Sequence, residues 1–220
     1  VDEAKAIVDS GIPMPRRDED SHDILGTFKV LSNRTEMMKT PTSPKELFAI
    51  LSHRHSILLE GRPHMNPGIF KTKNNRAGMT EFVDYQLVKG TLSQGFKYYA
   101  ALTDPFARAI FMMFMISEVH PFNDGNGRIA RVMMNAELVR ADQSRIIVPT
   151  VFREDYILAL RKLTRHKDPL AYINVMTKLH QFSDNLYGTD FTELKDYLAA
   201  CNAYEEPSQA KLQIIDRTIS

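Results

Sequence analysis

The sequence predicts an all-α fold, a helical bundle carrying one short β-hairpin. Two observations lead to this. Apolar residues recur at helical spacing along most of the chain, and several such runs open on a Ser or Asp that can cap a helix. A third observation adds the hairpin: one Gly, Pro and Asn-rich stretch interrupts the helices, and it is flanked by short β-prone runs.

Residues 2–9 suit a short helix stopped by Gly11, Pro13 and Pro15. After a charged connector over 16–21, Ser21 or Asp23 can cap a helix to about Met38, with Ile24, Phe28 and Leu31 at helical spacing. Pro41 and Pro44 break the chain. Ser43 can then cap a helix from Lys45 to about Glu60, presenting Leu47, Ile50, Leu51, Ile57 and Leu58 to a core. The 61–78 stretch reads as loop, and around it 69–73 and 80–83 are expected to pair across 74–78. A helix follows from Leu87 to about Leu102. The next has Asp104 as N-cap and Pro105 at its first position, and is apolar on almost every side to Val119, as a helix buried within a bundle should be. Residues 121–126 form a loop. Gly127 or Arg128 opens another helix to about Ala141, with Ile129, Val132, Met133, Ala136 and Val139 facing inward. Helices are expected over 153–165, 168–183 and 190–203. The implied organisation is a helical segment at 1–40, a core at 41–183 and a C-terminal extension at 184–220.

A chain of 220 residues, 43% hydrophobic and 25% charged, has the composition of a soluble globular protein. Its formal net charge of +1, with basic residues interleaved among acids, argues against nucleic acid or an anionic membrane as partner. The longest apolar stretch, 109–116, is far short of the roughly 20 residues that span a bilayer. A single cysteine, Cys201, excludes an internal disulfide and suits a reducing cytoplasm.

Chemistry concentrates in His120-Pro-Phe-Asn-Asp-Gly-Asn-Gly-Arg-Ile-Ala-Arg131. An apolar helix ends on a histidine, and a loop with an acid and two glycines follows. The next helix then opens with Arg128 and Arg131 on one face of its first turn. That turn offers unpaired N–H groups and the positive end of the helix dipole. Gly125 and Gly127 let a phosphate approach the backbone, and Asn126 tolerates left-handed geometry. Asp124 is a hard oxygen ligand suited to Mg²⁺ bridging phosphates. His120 can take a proton from an incoming hydroxyl. A magnesium nucleotide facing a base makes a phosphoryl- or nucleotidyl-transfer site.

This run resembles the signature of the Fic family: His-Pro-Phe, any residue, Asp or Glu, Gly-Asn-Gly-Arg, two variable residues, Arg. The resemblance extends over about 23–180, including Pro67-Gly68-Ile69-Phe70-Lys71, which in the family leads into a β-hairpin flap holding the target peptide. It implies a Fic-type helical bundle whose flap lies beside the active site. It also implies protein adenylyltransferase activity: AMP passes from ATP, with Mg²⁺, to a Ser, Thr or Tyr hydroxyl of a target protein. His120 is then the base and Asp124 holds the Mg²⁺. Gly125, Asn126 and Gly127 donate to phosphates, and Arg128 and Arg131 hold the β- and γ-phosphates. Asn135 braces the site and Tyr156 walls an adenine pocket. In the flap, assigned to 69–83, Phe82 and Val83 clamp the target backbone, while Lys73 or Arg76 favours acidic neighbours. Toxin relatives of the Doc type, which phosphorylate, carry Ala and Lys where this chain has Gly125 and Arg128. Use of another nucleotide, removal of AMP and an idle nucleotide-binding module remain alternatives. Self-modification and homodimers are both common among relatives.

Many relatives carry an inhibitory helix with the pattern Ser/Thr, three residues, Glu, Gly/Asn, whose glutamate pairs with the arginine equivalent to Arg131. Ser56 to Gly61 matches that pattern, but it leads straight into the flap and is read as coincidence. Thr189 to Glu193 is followed by Leu194 and does not match. The resemblance places the inhibitory segment upstream of Val1.

Overall fold

A computed structural model describes residues 1–217. The chain separates into two compact units, Val1–Asp142 and Gln143–Ser220. The expected core segment 41–183 spans the break between them.

In the first unit, α1 (Asp2–Ser10) packs on α2 (Asp18–Ser32), and a one-turn α3 (Arg34–Met37) follows. The single helix expected to run to Met38 is broken at Asn33, whose side chain accepts from the Glu36 amide and so begins a new helix. The inward side of α2 also differs from the expected stripe. Phe28 is exposed, and the helix meets its neighbour α4 (Pro44–Leu58) through Gly26, where an added Cβ would lie 2.6 Å from the Ile57 carbonyl. Backbones approach that closely only where there is no side chain.

Helix α4 starts as expected. The Ser43 side chain accepts from the Glu46 amide and Pro44 occupies the first turn. Leu47, Leu51 and Leu58 are buried as anticipated, but the inner face also carries Arg54 and His55, both fully buried. Burial of each leucine contributes roughly 2 kcal/mol. Arg54 needs partners instead. It has the Glu36 carboxylate at 3.1 Å and the Glu36 and Lys39 carbonyls at 2.6 and 2.7 Å. Burial pushes the Glu36 carboxyl up, but Lys39 and Arg54 outweigh it and hold it below its ordinary range.

The centre of the unit is an αα-hairpin of α6 (Pro105–Val119) and α7 (Asn126–Arg140), with α5 (Val88–Ala101) on α6, and α2, α3 and α4 on α7. The Asp104 side chain caps α6 through the Ala107 amide at 2.7 Å. Helix α7 is buried over far more than the expected stripe, including Met134, Asn135, Glu137 and Leu138. Glu137 accepts from the Tyr99 hydroxyl at 2.6 Å and from Arg108 Nε at 3.1 Å, which satisfies a carboxylate that periodicity alone could not place inside.

The hairpin is present but shorter and differently paired than expected. Its strands are β1 (Arg76–Ala77) and β2 (Thr80–Glu81), with Arg76 opposite Glu81 and Ala77 opposite Thr80. Gly78, at φ +58°, turns the chain, so 69–73 is left outside the ladder. Lys71 bonds instead to the loop after α6, as set out below.

The second unit holds α8 (Arg153–His166), α9 (Pro169–Asp184) and α10 (Phe191–Ala200), close to the expected spans. Helices α8 and α9 pack together around Tyr156, Tyr172, Met176 and Leu179. No helix among the described residues is long and apolar enough to cross a membrane.

Candidate active site

Helix α6 ends on His120, whose left-handed backbone (φ 49°, ψ 59°) reverses the chain, and its amide still bonds the Ile116 carbonyl. Such a conformation costs a non-glycine residue about 1 kcal/mol, and the surroundings here over-determine it. The Asn126 side chain clamps the loop from inside, accepting from the Phe122 amide at 2.9 Å and donating to the Phe122 carbonyl at 2.8 Å. Its amide group is thereby spent on the loop, and only its backbone N–H remains for a phosphate. Phe122 is fully buried and does no more than hold the loop down.

The imidazole of His120 is half-buried and lies flat on Phe82, ring centres 3.6 Å apart and planes within 4°. Its Nδ1 is 3.3 Å from the Ser117 carbonyl. A carbonyl can only accept, so Nδ1 carries the proton and Nε2 the lone pair. Burial pushes the imidazole down to about 4. The Ser117 carbonyl and Asp124 oppose that shift, and the Lys71 ammonium reinforces it. His120 is therefore a neutral base near pH 7.

Lys71, just before the hairpin, ties the flap region to this loop. Its amide donates to the Pro121 carbonyl at 2.8 Å, and its buried ammonium bonds the Asn75 side chain at 2.7 Å and the Val119 carbonyl at 3.4 Å. Asn75 in turn donates to the Phe122 carbonyl at 2.9 Å.

His55 joins the same two segments from below. Its Nδ1 accepts from the Gly68 amide at 2.9 Å, so Nε2 must carry the proton, which it donates to the Asp124 carbonyl at 2.9 Å. The ring stacks on Phe122 at 3.7 Å, and burial pushes it down to about 4. Nothing in the local sequence marked this histidine, because both of its bonds are to backbone groups distant along the chain.

Charged groups gather where α7 begins. The Asp124 carboxylate accepts from the Gly125 amide at 2.6 Å through Oδ1 and from Arg62 Nη1 at 2.8 Å through Oδ2. Arg62 Nη2 also bonds Asp23 Oδ2 at 2.6 Å, and Arg128 Nη1 lies 2.5 Å from that same oxygen. Asp23, read from sequence as a cap, thus sits within α2 and faces the loop. Gly125, at φ +72°, precedes α7 and is buried, while Gly127 on its first turn and Arg131 on its second are exposed. The expected donors of Gly125, Asn126 and Gly127 are at a helix N-terminus, where backbone N–H groups favour anions.

Of the other expected site residues, Asn135 is buried in α7 one turn beyond Arg131. Tyr156 is buried in the second unit, its ring 6.5 Å from that of Tyr172. Lys73 and Arg76 are exposed and Val83 is half-buried. Glu60 pairs with Lys29 at 3.0 Å on an exposed surface.

Among the described residues, no group of three or more His, Cys, Asp or Glu could hold a metal. Asp124 is a single carboxylate beside a helix N-terminus, whose backbone N–H groups favour anions. That donor set fits Mg²⁺ arriving on a nucleotide, since Mg²⁺ commonly takes one or two carboxylates and completes its shell with phosphates and water.

The sequence model of the Fic/DOC family matches residues 43–138. Protein adenylyltransferase fic-1 of Caenorhabditis elegans is 39% identical over 57 residues, which make up 26% of this chain and 11% of that protein. The chain therefore spans only a small part of that relative. The structure resembles a fragment of Fic-1 from the same organism, at TM-score 0.68 and 20% identity, covering 91% of this chain and 58% of the other. It also resembles a Fic domain-containing signalling protein of Bacteroides thetaiotaomicron, at TM-score 0.70 and 16% identity, covering 81% and 75%. At those identities the likeness concerns the fold. Match, motif and helical architecture agree over one stretch: residues 43–138 match the Fic/DOC family model.

Proposed function

We propose that this chain is a protein adenylyltransferase, moving AMP from ATP to a Ser, Thr or Tyr hydroxyl of a target protein. The observation that carries the reading is His120. Its Nδ1 proton is committed to Ser117, and its Nε2 lone pair belongs to a loop that also carries Asp124 and the first turn of α7. The names of relatives matched over parts of the chain support the same reaction.

In this reaction the target hydroxyl gives its proton to His120 Nε2 and its oxygen bonds the α-phosphorus. The bond from that phosphorus to the bridging oxygen breaks, and pyrophosphate leaves. The amides of Asn126 and Gly127 donate to phosphate oxygens, the Gly125 amide being held by Asp124 Oδ1, and Arg128 and Arg131 bear the charge of the leaving pyrophosphate. Asp124 would hold Mg²⁺, which when bound neutralises phosphate charge. Phe82 keeps the base in plane, and the exposed edge of the hairpin suits an extended target segment added through backbone hydrogen bonds, with Lys73, Arg76 and Val83 beside it.

Incubation with ATP labelled on the α-phosphate should label a target, or the chain itself, and γ-label should not transfer. Transfer of γ-label would replace this reading with a kinase. His120→Ala should abolish labelling by more than about 100-fold while nucleotide affinity stays within about twofold. Unchanged labelling would remove His120 from the mechanism.

We further propose a cytoplasmic setting, from the single cysteine, and the division 1–40, 41–183 and 184–220. Limited proteolysis tests the division, and light scattering tests for a homodimer.

A further inference from the structure

We infer that Arg62 is a further active-site residue, one that occupies the Asp124 carboxylate until a nucleotide-borne divalent ion displaces it, so that the free ion is kept out. The inference rests on the reading of Asp124 as the metal carboxylate. Arg62 comes from the connection between α4 and the flap region, outside the motif. Its side chain is 13% exposed and its Nη1 is 2.8 Å from Asp124 Oδ2. Because Oδ1 accepts from the Gly125 amide, both carboxylate oxygens are engaged and a guanidinium stands where a cation would bind.

Arg62 is also tethered. Its Nη2 bonds Asp23 at 2.6 Å, and Asp23 is shared with Arg128. Glu19, 3.8 Å away, is an exposed outer partner. The set is not saturated: among the described residues, Asp23 Oδ1 and Arg62 Nε are buried with no hydrogen-bond partner. Released from Asp124, the guanidinium would stay beside the site on Asp23, as a second cation near Arg128 for an incoming phosphate.

Charge decides which ion can enter. Asp23 and Asp124 balance Arg62 and Arg128, so a lone divalent ion on Asp124 would add an uncompensated double positive charge beside two guanidiniums. A triphosphate carrying that ion supplies the missing negative charge and gives Arg62 an alternative acceptor. Binding of ion and nucleotide is thereby coupled, and Arg62 sets the strength of the coupling.

Mn²⁺ binding, followed by the loss of the free-ion electron paramagnetic resonance signal, tests this without turnover. Without nucleotide, Arg62→Ala and Arg62→Gln should each bind Mn²⁺ about tenfold or more tighter than the unaltered protein, with Arg62→Lys between them. Equal or weaker Mn²⁺ affinity in both uncharged variants, with far-ultraviolet circular dichroism retained, overturns the inference. With a non-hydrolysable ATP analogue, the unaltered protein should bind Mn²⁺ in a manner that Asp124→Ala abolishes. If it does not, the assignment of Asp124 falls; if it does while the Arg62 variants change nothing, only the role of Arg62 falls.

Discussion

At the scale of the residue, the protonation of His120 follows from what touches it. Phe82 covers one face, the Ser117 carbonyl accepts from Nδ1–H, and burial pushes the group down to about 4. A general base works only when unprotonated, so activity through His120 falls as pH drops through that value and is level above it. The prediction is a kcat/KM profile with no histidine limb near pH 6.5 and no fall above about pH 5, since this ratio reports the free enzyme. A tenfold loss per unit beginning at pH 6.5 would show that the imidazole is solvated and that Phe82 does not cover it. The twelve-residue motif made His120, Asp124 and the arginines candidates without a structure, because they are packed into adjacent turns. His55, Arg62 and Asp23 were not legible as site residues. His55 acts through its two backbone partners, and Asp23 looks like any helix cap.

At the scale of the element, helix starts were the most legible feature. Ser43 and Asp104 bond amides three residues ahead, an interaction contained within a single turn. The hairpin was legible as an existence but not as a register. The 69–73 run is β-prone, yet Lys71 spends its amide on Pro121 and its ammonium inside the loop, so pairing begins only at Arg76. Gly68 anchors the entry to this segment, with φ +78° and a would-be Cβ only 2.9 Å from the Ser52 carbonyl. Gly68→Ala should therefore destabilise the fold by about 1–3 kcal/mol, seen as a lower urea midpoint. Transfer activity should fall further than stability explains, because the Gly68 amide positions His55 and through it Asp124. A neutral Gly68→Ala would mean that α4 moves freely away from this segment.

At the scale of the whole molecule, the first unit surrounds buried polar groups as well as apolar ones. Arg54 has no exposed side-chain surface and gathers the Glu36 carboxylate with the Glu36 and Lys39 carbonyls. Arg54→Met would leave these acceptors without their guanidinium and should cost roughly 3–5 kcal/mol, measured by urea denaturation. A loss under about 1 kcal/mol would show that water or Lys39 replaces the guanidinium. Arg54 escaped sequence reading because a charged residue at a helix position normally marks the solvent side, and its partner Glu36 belongs to a separate one-turn helix that was expected to be part of α2.

The sequence by itself determined where most helices begin, which face of α4 is apolar, and that a histidine, an acid, two glycines and two arginines share the stretch from His120 to Arg131, for which we propose phosphate binding. Those properties depend on capping, periodicity and backbone freedom, all local within a turn or two. Only the tertiary structure decided which charges meet. Asp23, Arg62 and Asp124 are 39 and 62 residues apart in successive pairs, yet they form one network. Long-range ion pairs leave no spacing signal in a chain, because they depend on how whole helices cross, and here α2 and α4 cross closely at Gly26.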